Sequence, residues 1–70
     1  MKKAGEITKF DGRNGIINDK TEEFDFHLRD LSDKNQSEPI HLGDKVEFRA
    51  EYRDYNVKIA KNIKVLQKRQ

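Results

Sequence analysis

Lys45-Val46-Glu47-Phe48-Arg49-Ala50-Glu51-Tyr52 alternates charged and apolar side chains, the longest strict alternation in the chain. A period of two places Val46, Phe48, Ala50 and Tyr52 on one side of an extended strand and four charges on the other, the pattern of a half-buried β-strand. Other strands have to cover that apolar side, because helical periodicity is weak throughout the sequence.

Upstream, Glu6-Ile7-Thr8-Lys9-Phe10 runs into Asp11-Gly12-Arg13-Asn14-Gly15. Asp-Gly and Asn-Gly accept positive φ, so these residues predict a hairpin into Ile16-Ile17-Asn18. Lys20-Thr21-Glu22 makes a second turn. Phe24, Phe26 and Leu28 then fall on one strand face, with Asp25 and His27 on the other. Residues 29–43 hold the single proline, Pro39, and no alternation. They read as a loop with one helical turn near Leu31. Downstream of Tyr52, Arg53-Asp54 turns the chain, and Val57, Ile59, Ile63 and Val65 form a last strand in one phase. Lys61 interrupts that phase, which predicts a bulge near Ala60. Gln67-Lys68-Arg69-Gln70 reads as a frayed basic tail. Five short strands with a long third connection predict an all-β fold, a small five-stranded antiparallel barrel of OB type. An SH3-like barrel is the neighbouring possibility, and an open meander ranks lower because its edges would stay unpaired.

Seventy residues suit one domain with one core, taken as residues 1–70 with the core over 5–66. Only 33% of the residues are hydrophobic and 40% are charged, so that core is small. The absence of cysteine removes disulfide and thiolate-metal staples. The N-terminus runs into no apolar stretch and no window suits a membrane span, which sets the expectation of a cytoplasmic protein without membrane contact. The net charge of +2 is uneven: residues 1–18 carry +2, residues 19–38 carry −4, and residues 39–70 carry +4. Basic ends brought together by a barrel would form a weakly positive patch, suited to a polyanion.

Several stretches stand in an order that resembles the bacterial cold-shock domain. Gly5-Glu6-Ile7-Thr8-Lys9-Phe10-Asp11 is similar to that family's Gly-x-Val-Lys-Trp-Phe-Asn, and Phe24-Asp25-Phe26-His27-Leu28 is similar to its Val-Phe-Val-His-Phe. Leu42-Gly43-Asp44-Lys45-Val46-Glu47-Phe48 resembles its Gly-x-x-Val-x-Phe, and Ala60-Lys61-Asn62-Ile63 its Ala-x-Asn-Val. The resemblance spans Gly5 to Leu66 and implies a five-stranded OB barrel that binds single-stranded nucleic acid. The departures fall on the family's binding motifs. Arg13-Asn14-Gly15-Ile16-Ile17 stands where the family has Lys-Gly-Phe-Gly-Phe-Ile. Lys9 replaces a tryptophan, and Asp25 and Leu28 replace phenylalanines. Phe10 and His27 keep the family's residues.

The resemblance therefore implies a site of Phe10, Ile16 and His27 bordered by Lys9, Arg13, Asn14, Lys58 and Lys61. The rings would stack on bases and the bordering residues would contact phosphate. Stacking contributes about 1–3 kcal/mol per base, so losing most rings predicts weak or atypical binding. Phe10 is out of phase with Ile7, which leaves it either a surface platform or a core residue. His27 either meets a base or pairs with Asp25, and Asp25 itself repels phosphate. Tyr52 and Tyr55 flank the fourth turn; either one stacks on a ligand while the other covers the barrel end, or both pack. Two histidines, no cysteine and no phosphate-binding glycine loop argue against an enzyme, and His41 with Asp44 is too small a set for a structural metal. No cofactor is expected. The expected function is single-stranded RNA or DNA binding of the cold-shock kind, as an RNA chaperone or regulator. Two alternatives are a scaffold that now docks a protein partner, and a ribosome-associated OB factor resembling bacterial initiation factor one.

Overall fold

Val46, Phe48 and Ala50 are all buried, as their alternation requires, on a strand that pairs with two others. The computed structural model describes residues 2–32 and 40–67. The prolyl stretch 33–39, read above as loop, and residues 68–70 of the tail lie outside the described residues, whereas Gln67, read as part of the frayed end, is a strand residue paired with Lys45. The strands are β1 (Lys2–Phe10), β2 (Asn14–Asn18), β3 (Glu23–His27), β4 (Lys45–Arg53) and β5 (Val57–Gln67). The sheet runs β1-β2-β3-β5-β4 and closes on itself where β1 pairs with β4. The strand pairings are antiparallel except β3 with β5, where Asp25 stands beside Ile59 in parallel register, and Leu31 beyond β3 adds a parallel bridge to Ile63. No helix among the described residues is long and apolar enough to cross a membrane.

The barrel interior is filled from every strand: Ile7, Ile17, Phe24, Phe26, Val46, Phe48, Ala50, Ala60 and Ile63 are buried. The Phe24 and Phe48 rings meet at 4.9 Å, tilted by 58°. Each such ring contributes about 1.5–3 kcal/mol by leaving water. The third connection also feeds the core, because Ile40 is buried just ahead of β4.

Local chemistry sets the turns. Asp11 Oδ1 accepts hydrogen bonds from the Arg13 and Asn14 N–H groups while Gly12 takes φ 103°. Asn14 and Gly15 are strand residues, so Asp-Gly alone makes this turn and the expected contribution of Asn-Gly is absent. Asp19 Oδ1 organises the next turn by accepting from Thr21 and Glu22 N–H, with Lys20 at φ 82°.

One other expectation is corrected and two are made specific. Strand β3 ends at His27, and Leu28, expected on its inward face, starts a short 3-10 turn (Leu28–Asp30) with 40% of its surface exposed. This is the helical turn expected near Leu31, which caps it. The irregularity expected near Ala60 lies at Asn62, where Arg49 pairs with Lys61 but Glu47 with Lys64 and Asn62 takes φ 52°; a second lies at Leu66, where Val46 pairs with Val65 but Lys45 with Gln67. One extra residue at Asn62 brings Ala60 and Ile63 inward together and leaves Val57 exposed and Ile59 half-buried.

Candidate nucleic-acid interface

Antiparallel register carries the outward residues of β2 and β3 onto one face. Asn14 faces His27 and Ile16 faces Asp25, and the parallel contact adds Ile59 beyond Asp25. Lys9 is exposed at the other margin, beside Ile16. The row Lys9-Ile16-Asp25-Ile59 therefore crosses four strands. A groove at the His27 end of this face is lined by Asn14, His27, Arg29, Arg53, Ile59 and Lys61, with Asp25 and Asp30. A second hollow, toward the opposite end, is lined by Ile16, Glu22, Glu23, Asp25, Asn56 and Lys58 among others. The first is rich in bases and the second in carboxylates, and Asp25 belongs to both.

His27 is fixed by the turn that follows it. Its Nδ1 accepts from Arg29 N–H at 3.0 Å, and its own backbone N–H donates to Asp30 Oδ2 at 3.0 Å. With Nδ1 occupied as an acceptor, the neutral ring carries its proton on Nε2. Arg29, not Asp25, supplies the partner of the ring. Lys61 is held by the same turn, its Nζ 3.1 Å from Asp30 Oδ1. Arg13 is exposed in the β1–β2 turn, and its carbonyl accepts from Leu28 N–H.

Two candidate residues are engaged by the barrel itself. Phe10 is half-buried and lies against Phe26, with ring centroids 6.0 Å apart and planes inclined by 7°. The pairing of β1 with β2 steps from Ile7–Ile17 to Lys9–Ile16, so Thr8 is a bulge. The bulge reverses the phase of the strand, and Ile7 and Phe10 both turn toward the core. Phe10 is thus no free surface platform. Lys58 lines the carboxylate-rich hollow of the face and lies 3.5 Å from Glu22.

The barrel end around Glu22 is a cluster no single stretch of sequence announces. Lys3 Nζ lies 3.1 Å from Asp19 and 3.4 Å from Glu22, and 5.8 Å from the centre of the Phe24 ring. The Tyr52 hydroxyl donates to Glu22 at 2.9 Å, and its ring meets Phe24 edge-on. Burial opposes ionisation of Asp19, but hydrogen bonds from Thr21, Glu22 and Lys3 outweigh it and hold the carboxyl well below its usual range. The hydrogen bond from Tyr52 lowers Glu22 in the same way. Lys3 is raised, mainly by its hydrogen bond to Asp19, and Tyr52 is raised by its bond to Glu22.

Ion pairs also thin the expected positive patch. The basic ends do meet, since Lys2 of β1 lies opposite Arg49 of β4. Yet Lys2 pairs with Glu47, Lys45 with Glu6 and Arg53 with Glu51. Among the described residues, Lys9, Arg13, Lys20, Arg29, Arg49 and Lys64 form no ion pair and remain to attract an anion.

A closed five-stranded sheet in the order β1-β2-β3-β5-β4, with a long third connection, defines an OB-type barrel. No family model and no curated protein matches the chain. Among solved structures it superposes on a Drosophila Unr structure, CSD456, with a TM-score of 0.76 over 94% of this chain at 24% sequence identity. The match spans 27% of that longer chain. The fold is therefore the cold-shock form of the OB barrel.

Proposed function

We infer that the chain binds single-stranded RNA or DNA, weakly, as the bacterial cold-shock domains that its motifs resemble do, and that it works in the cytoplasm by binding rather than by catalysis. The observation that carries this reading is the groove in which Asn14, His27 and Ile59 lie among Arg29, Arg53 and Lys61. Bases would rest against the His27 ring and the isoleucine side chains while cations follow the backbone. Weakness follows from the same geometry. Phe10 is turned inward, Asp25 stands mid-face, and carboxylates already hold Lys61 and Arg53.

Titration of labelled pyrimidine-rich and mixed oligonucleotides, DNA and RNA, by fluorescence anisotropy at two salt concentrations tests it. Saturable, salt-sensitive binding at micromolar protein that weakens in His27→Ala supports the reading. No binding at low salt rejects it. A protein-docking role has one observation in its favour, the apolar Ile16 and Ile59 on either side of Asp25, and would give apolar association that salt hardly changes.

A further inference from the structure

Every aromatic ring in this barrel except one packs against another ring. Phe10 lies on Phe26, and Phe24 meets both Phe48 and Tyr52. Tyr55 is 96% exposed. It sits at the tip of the β4–β5 hairpin with φ 63° and ψ 33°, followed by Asn56 at φ 63°. The turn holds three residues between the paired Arg53 and Val57, and Asn, Asp and Gly dominate the positive-φ positions of hairpin turns. Asn56 conforms and Tyr55 does not, because a bulky side chain in this region is strained. Nothing in the fold gains from the ring, since it packs on no other. Strain kept at an exposed position without a structural return points to function.

The location specifies which function. Arg53 and Asn56, on either side of Tyr55, border the two hollows of the β2–β3–β5 face, one each. Tyr55 therefore sits on the hairpin between two residues that border the proposed binding face, whose groove holds the His27 ring and, largely buried, that of Phe26. We propose that Tyr55 is the principal base-stacking platform of this protein, mounted on the hairpin tip and replacing flat-face rings that the sheet lacks. This rests on the single-strand-binding reading above. It adds that the strand leaves the sheet over the hairpin tip, with Arg53 beside it for the backbone.

The test titrates a labelled pyrimidine-rich single strand with the parent chain, Tyr55→Asn and Tyr55→Phe at two salt concentrations, and melts each protein. Tyr55→Asn is expected to bind roughly 5- to 150-fold more weakly, the range that loss of one stacked base implies. Its melting temperature stays level or rises, since asparagine accepts the left-handed conformation more readily. Its salt slope matches the parent's, because a stacked ring releases no counterion. Tyr55→Phe keeps the parent's affinity. Equal affinity of Tyr55→Asn and the parent would overturn the inference, leave the groove reading intact, and assign the ring to a protein partner. An affinity loss shared by Tyr55→Phe, or one accompanied by a changed salt slope, would overturn it as well. Absence of binding by the parent at low salt would remove both the groove reading and this one.

Discussion

Phe10 and Phe26 lie nearly parallel on either side of Gly15, which pairs with Phe10 on β1 and with Phe26 on β3. The missing side chain at Gly15 opens the space the two rings share, and the Thr8 bulge turns Phe10 into it. Phe10 therefore closes the core at one end of the barrel as Tyr52 does at the other.

Removal of the ring should cost stability first. A fully buried phenylalanine loses about 3–5 kcal/mol on truncation to alanine, and a half-buried one about half that. Phe10→Ala is expected to lower the unfolding free energy by about 1.5–2.5 kcal/mol, read as a shifted denaturant midpoint. An unmoved midpoint would return Phe10 to the surface.

Gly15 admits no larger residue. A Cβ there would stand 2.5 Å from the Lys9 carbonyl oxygen and 2.6 Å from the Phe26 ring. The carbonyl belongs to a paired strand and the ring is fixed by its stack, so neither yields cheaply. Gly15→Ala should destabilise the barrel by about 1–3 kcal/mol, the range for overpacked cores. Thermal melting checks this, and a variant that melts with the parent would show that β1 and β2 can separate locally.

Alternation made β3 and β4 legible from the sequence, because Phe24, Phe26, Val46, Phe48 and Ala50 need only a period of two to be assigned inward. Bulges broke that reading elsewhere. Thr8 and Asn62 each add one residue, and a single added residue inverts the phase of everything beyond it. Phase alone therefore leaves Phe10 ambiguous and groups Val57 and Ile59 with Ile63, although only Ile63 of the three is buried. At the candidate site, His27, Asn14, Ile16 and Lys61, which the resemblance names, share a face. Lys58 lines that face's second hollow, but its partner Glu22 is brought to it only by the closed barrel, which no stretch of sequence announces. Arg29 and Arg53 carry no signal in the sequence because turn residues have no period.

The barrel-end cluster should shape stability against pH. Asp19, Glu22 and Asp11 have lowered pKa values in the folded state, so their contributions are present above the ordinary carboxylate range and fade as pH falls through it. Lys3 and Tyr52 are raised, so theirs are present below about pH 10 and fade as pH climbs. Stability should be flat between about pH 5 and 10 and decline on both sides. Asp19→Asn should lower the plateau and make the acid limb shallower in melting curves between pH 2 and 6. Parallel acid limbs for parent and variant would mean that other carboxylates govern acid unfolding.

The difference between paired and unpaired cations gives the sharpest check on the interface. Lys58 lines the carboxylate-rich hollow, engaged with Glu22, whereas Arg13 and Lys9 are exposed at the margin of the β2–β3 face without an ion pair among the described residues. A base that touches phosphate contributes about 0.7 to the slope of log affinity against log salt on a single strand. Arg13→Ala and Lys9→Ala should each lower the slope by about that amount, whereas Lys58→Ala should leave the slope unchanged and reduce stability, because it takes a cation from a carboxylate that already bonds Tyr52 and Lys3. Lys61→Ala falls between the two: its ammonium must leave Asp30 to reach phosphate, so the slope should change by less than it does for Arg13. A slope that responds to Lys58 as strongly as to Arg13 would place the strand across the carboxylate-lined hollow, where Glu22, Glu23 and Asp25 would oppose it, and would move the interface to the other end of the face.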